Sequence, residues 1–196
     1  MRYHYPHTIE NGHGEVLTFI RHVPDEDGGW LDIENEVKPG AGPPMHVHHL
    51  QDESLTVVSG RIGTQVQGEE PKYFGPGESV TFYLGVSHRF WNAGQEKLVC
   101  RGWVRPANNL EYFLTEMYKS LQSNPAGEPR KFDGAFLLHR YRSEFSMPEI
   151  PPFVVRFLFP VTYMIGRLTG KYRKFHDAPP PLGIQAVPQT VTRNSI

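Results

Sequence analysis

The sequence predicts a mainly β protein, an antiparallel sandwich or barrel followed by C-terminal α-helices, and three observations carry that expectation. Eight short runs rich in β-branched and aromatic residues fill the first half of the 196-residue chain. Turn signals separate them, with no helical repeat of 10–15 residues between them, as in antiparallel rather than βαβ folds. After Arg105 the punctuation changes. Of the 19 glycines 14 lie at or before that residue, as do 8 of the 10 histidines, whereas 11 of the 18 prolines follow it. Expected boundaries are therefore a barrel at 1–105, a helical extension at 106–175 that packs on the barrel or on a partner, and a Pro-rich tail at 176–196.

The expected strands are 15–22, 30–37, 45–49, 54–58, 61–67, 79–83, 88–92 and 97–105. Between them stand Asp27-Gly28-Gly29, Pro39-Gly40, Ser59-Gly60, Gly75-Pro76-Gly77 and Ala93-Gly94, residues that supply turn geometry. From Leu110 the apolar positions 110, 113, 114, 117 and 121 follow a helical period. Asn108 or Asn109 is placed to cap that helix, and Asn124-Pro125 ends it. A weaker helix is expected over 133–145, and an apolar run over 153–170 follows Pro151-Pro152.

This last run contains Arg156, Pro160 and Arg167, and it falls short of the ~20 mostly apolar residues of a spanning helix. As a helix it places Arg156, Tyr163, Arg167, Lys171 and Lys174 on one side. Val154, Leu158, Val161, Ile165 and Leu168 take the other. The expectation is that this apolar face packs on the barrel or a partner subunit, with an anionic membrane surface as the less favoured alternative.

Composition excludes several classes. Lys plus Arg is 20 and Asp plus Glu is 21, for a formal charge of −1, without the basic excess of a nucleic-acid binder. A single cysteine, Cys100, rules out an internal disulfide framework and a multi-cysteine metal site. It reads as a small buried hydrophobe. The N-terminus lacks a charged-then-apolar signal pattern, so a cytoplasmic protein is expected.

The histidines hold the chemistry. His46 and His48, two apart on a strand, project from the same face. Glu53 can converge with them if the chain reverses, and His88 heads a later strand. Three imidazoles and one carboxylate suit one borderline divalent ion per chain (Fe, Mn, Ni, Zn or Cu) and leave coordination positions open. Phe90, on the face of His88, is the best candidate to line a pocket, ahead of Arg61, Gln65, Trp103 and Tyr141. His49 should face away from His48 and be exposed, Asp52 reads as a turn or surface carboxylate, and His139 lies in the weak helix.

Gly40, His46, His48, Glu53 and Gly60 stand as G-x5-H-x-H-x4-E-x6-G, and Gly77, Gly85, His88 and Asn92 as G-x7-G-x2-H-x3-N. The two motifs together resemble those of the cupin superfamily. Tyr83 replaces the proline of the family's second motif, without loss of a ligand. The resemblance covers about residues 15–105. It implies a double-stranded β-helix, or jelly roll, with a metal in its mouth held by His46, His48, Glu53 and His88, and often a homodimer. Family activities include dioxygenation, decarboxylation, isomerisation and plain ligand binding, so the fold does not choose the reaction. O2-dependent oxidation of a small organic molecule is favoured. Isomerisation or decarboxylation comes next, and the alternative is a non-catalytic ligand-binding sensor with a structural metal.

Overall fold

The computed structural model describes residues 3–183, so most of the expected tail lies outside the described residues. Two antiparallel sheets face each other. One sheet contains β1 (His7–Glu10), β2 (Glu15–Val23), β3 (Trp30–Val37), β10 (Leu98–Arg105), β5 (Asp52–Ser59) and β8 (Ser79–Phe82), in that spatial order. The other runs β11 (Phe145–Ser146), β4 (His46–His48), β9 (Ser87–Asn92), β6 (Ile62–Val66) and β7 (Lys72–Phe74). All eight expected strands are present, with ends displaced by at most two residues.

Alternation along the strands builds the core. In β3, Leu31, Ile33, Asn35 and Val37 point inward while their neighbours are partly exposed. Phe19, Leu31, Leu55, Ile62, Leu98 and Val104 are almost wholly buried between the sheets, and each apolar side chain of this size contributes ~1.5–3 kcal/mol on burial. Gly60 turns β5 into β6 at φ 86°, and a side chain there would press on the Leu98 backbone. That turn therefore needs glycine.

Three short strands escape a sequence reading. β7 has three residues and β11 two, too few for periodicity to register. β1 is fastened from outside its own sequence. Its His7 pairs with Glu111 at 2.8 Å and stacks between Tyr3 and Phe19.

The C-terminal region contains α1 (Leu110–Gln122), α2 (Lys131–Arg140) and α3 (Phe159–Leu168), the last preceded by a π-helical turn at Val154–Leu158. Asn109 takes the N-cap position of α1 but makes no side-chain capping bond. Its amide donates to the buried Glu144 instead, at 2.7 Å. The weak helix expected over 133–145 stops at Arg140, because residues 141–144 turn and Phe145–Ser146 pairs with Val47 and His48. The expected apolar face of the third helix does not meet the barrel, since Val161, Ile165 and Leu168 are exposed. Tyr163, placed with the cations by helical spacing, is the residue that docks, and stacks on Phe136.

Candidate metal centre

The four donors come from both sheets. His46 and His88 are direct cross-strand partners in the β4–β9 ladder, and His48 stands two residues further on the same face. Glu53 arrives from β5 in the opposite sheet, where it pairs with Phe82. One ligand atom from each of His46, His48, Glu53 and His88 lies within 4.8 Å of all the others. His48, Glu53 and His88 are buried and His46 is partly exposed.

Hydrogen bonds hold these rings in register. His46 Nδ1 donates to Pro44 O at 2.9 Å, and His88 Nδ1 donates to Val86 O at 2.9 Å. That arrangement leaves Nε2 of each ring as the free lone pair. Phe82 lies parallel to the His88 ring at 4.0 Å, and Phe145 meets His48 edge-on at 5.6 Å. The loop carrying Tyr83 is secured without the family proline. Leu84 N donates to Asp52 Oδ1 at 2.7 Å, and Gly85 N donates to His48 O at 2.7 Å.

The electrostatics fit a bound cation. Burial, and then the charge of His88, lowers the His46 pKa to about 4. Burial lowers His48 to about 3. Burial alone would raise Glu53, yet the His88 hydrogen bond and the surrounding imidazoles hold it down to about 2. Neutral His46 and His48 beside an ionised Glu53 are the protonation states that divalent metals require. His88 Nε2 faces Glu53 Oε2 at 3.2 Å. With the Nδ1 proton committed to Val86 O, these are two acceptors that need a proton or a metal ion between them. His48 Nδ1 is buried and has no hydrogen-bond partner, an orphan of the kind a coordinated group would relieve.

The centre opens onto a cavity of about 640 Å³, bounded by Phe19, Ile33 and Phe90 from the barrel and by Phe113, Met117 and Tyr118 from α1. The first C-terminal helix thus forms one wall of this cavity. Among the candidate pocket residues Phe90 lines the cavity, while Arg61, Gln65, Trp103 and Tyr141 do not. His49 is half-buried rather than fully exposed, because its Nε2 meets Ser146 Oγ of β11 at 2.9 Å. His139 packs against Tyr163 at 4.8 Å, away from the cavity wall. Asn92 of the second motif is structural. Its amide donates to Val37 O and Glu96 O, and its carbonyl accepts from Gly94 N.

The cavity also holds a polar pair that sequence reasoning missed. Glu15 and Asn35, both buried, meet at 3.1 Å through Asn35 Nδ2. Burial raises the Glu15 pKa above the ordinary carboxyl value, against hydrogen bonds from Asn35 and Tyr118 that lower it. Asn35 Oδ1 is buried and unpartnered. A sequence signal existed, since both polar residues occupy inward positions of otherwise apolar alternations.

A family model described as "Cupin domain" matches residues 34–104. The curated "Probable oxidoreductase virH" of Hypocrea virens is 29% identical over 121 residues, covering 57% of this chain and 53% of that protein. "Oxidoreductase iacF" of Pestalotiopsis fici is 31% identical over 97 residues, covering 45% and 48%. The chain thus spans about half the length of the curated relatives it matches. Among solved structures, KdgF from a Halomonas species superposes with a TM-score of 0.43 at 20% identity, over 50% of this chain and 85% of that one. With matched motifs, two facing antiparallel sheets and the domain match together, residues 34–104 are a cupin domain.

Proposed function

We propose that His46, His48, Glu53 and His88 hold one divalent metal ion, and that the protein is a metal-dependent oxidoreductase using O2 on a small, largely apolar organic molecule. The observation that carries this reading is the convergence of three imidazoles and a carboxylate, with His46, His48 and Glu53 on the wall of a largely apolar cavity. The names of the two curated relatives agree with the reaction class. A bound redox-active ion would supply Lewis-acid polarisation and electron transfer. The chain supplies the rest. Phe90, Ile33 and Phe113 exclude water, and Asn35 Oδ1 is free to accept a hydrogen bond from a substrate hydroxyl.

Metal-assisted isomerisation or decarboxylation is the second reading. One observation favours it: Glu15, its carboxyl pKa raised in the cavity, is placed to hold and deliver a proton.

Metal analysis of protein purified without chelator tests the centre. About one ion per chain is expected, with loss in His46→Ala and His88→Ala while the fold survives. A wild-type ratio far below one removes the metal reading. Oxygen uptake over a panel of diketones, catechols, flavonoids and small acids, with iron restored, tests the reaction. Product formation without oxygen consumption would favour the second reading, and tight ligand binding without turnover would leave a sensor.

A further inference from the structure

The segment after Pro152 presents two unlike faces. Phe159, Tyr163 and Gly166, spaced i, i+4, i+7, turn inward. Tyr163 stacks on Phe136 at 5.9 Å, and Gly166 lies against the Tyr172 ring. The opposite stripe of Phe157, Val161, Met164 and Leu168 points outward, 63%, 48%, 57% and 81% exposed. A contiguous apolar face of this kind marks an interaction site. From Ile150 to His176 the chain contains five Lys or Arg and no Asp or Glu, although its overall charge is −1. Lys174 is committed to Asp133 at 2.6 Å. Arg156, Arg167, Lys171 and Arg173 form no ion pair among the described residues. Arg167 neighbours the exposed Leu168 at the end of α3, Arg156 stands in the π-helical turn before the helix and Lys171 just after it.

We propose that this face docks on an anionic lipid surface, with α3 lying in the plane of the interface. Charge decides the occupant. A contact between copies through this face would bring together two segments that carry cations and no Asp or Glu, and like charges brought together there are unfavourable. The stripe is also under two heptads long, against the three to four of a self-sufficient coiled coil. An anionic membrane satisfies both halves of the pattern. Apolar side chains enter the acyl boundary, and long basic side chains reach headgroups. No described helix is long and apolar enough to cross a membrane, so the segment lies on the surface rather than spanning it. The same segment supplies Phe159 to the wall of the metal-site cavity.

Flotation of the full chain with vesicles of phosphatidylcholine, or of equal parts phosphatidylcholine and phosphatidylglycerol, tests the proposal. Binding is expected with the anionic vesicles, weakened by salt, and much reduced with phosphatidylcholine alone. Each cation at the surface raises partitioning about fivefold. The variant Arg156→Gln/Arg167→Gln/Lys171→Gln should therefore lose on the order of a hundredfold. Phe157→Glu/Leu168→Glu, which spares the inward face, should abolish flotation while the melting temperature is maintained. Failure of the wild-type chain to float with anionic vesicles overturns the proposal, as does flotation unchanged in both variants. Sedimentation showing a dimer that Phe157→Glu/Leu168→Glu dissolves, without lipid binding, would also overturn it and assign the face to a second copy.

Discussion

Replacing Glu144 should weaken both the fold and the metal centre. Its carboxyl is fully buried and ties three segments together. It accepts from Asn109 Nδ2 at 2.7 Å, from Asn109 N at 3.3 Å and from Leu182 N at 3.0 Å. Its own carbonyl accepts from His49 N at 2.8 Å, beside the strand that carries His46 and His48. Glu144→Ala leaves Asn109 N without a partner and Asn109 Nδ2 with only its bond to Pro180 O, while the Leu182 amide, nearer the surface, can turn to water. At ~1–3 kcal/mol for each buried donor left unmade, the expected cost is ~3 kcal/mol. In a chain of this length that lowers the melting temperature by roughly 6–12 °C. Glu144→Gln keeps the two bonds to one oxygen and loses the third, so it should cost ~1–2 kcal/mol. Phe145, the next residue, braces the His48 ring, and loss of such support lowers metal affinity ~10-fold or more. Denaturant titration and competitive metal binding measure the two effects. A Glu144→Ala protein within ~0.5 kcal/mol of wild type, with unchanged metal affinity, would show that Glu144 braces neither the fold nor the site.

Acid should destabilise the metal-free protein. The unfolded chain protonates His46 and His48 near their ordinary value of 6.5, whereas the folded chain resists to about 4 and about 3. Stability is therefore lost as pH falls from about 6.5 toward 4, by ~2 kcal/mol per imidazole at pH 5. A denaturation midpoint equal at pH 7 and pH 5 contradicts this. Cys100, whose thiol burial raises to about 12, should react with a thiol reagent at pH 8 on the order of a hundredfold or more slowly than a free cysteine, until denaturant is added. A rapid native reaction would show the thiol accessible. Gly102→Ala should destabilise by ~1–3 kcal/mol, because the new methyl meets the Ser54 carbonyl oxygen and the Leu55 side chain next to Glu53. Wild-type stability in a melt would mean that β5 yields more readily than its packing implies.

Much of the fold was legible because alternation and turn chemistry are local. Strands of five to nine residues, such as β2, β3 and β10, declare themselves through their own pattern. The second half of the weak helix did not. Ser143 to Ser146 has no strand signal of its own, and becomes part of a sheet only because β4 offers an open edge. The third helix was read with the right amphipathic contrast and the wrong inward side. Tyr163 groups with the cations by helical spacing, but the aromatic cluster of Phe136, Tyr172 and Phe175 stacks more favourably on it than on an aliphatic stripe.

At the candidate metal centre the division is equally physical. Sequence spacing by itself determined that His46 and His48 share a face, because a strand alternates with period two. It could identify His88 and Glu53 as candidates. Their convergence was decided by strand order, which sets His88 opposite His46 and brings Glu53 across from the other sheet. The wall that α1 adds to the cavity, and the Glu15–Asn35 pair, were likewise decided by packing. Local pattern specifies which way a side chain points along its own strand; only the meeting of sheets and helices specifies what it points at.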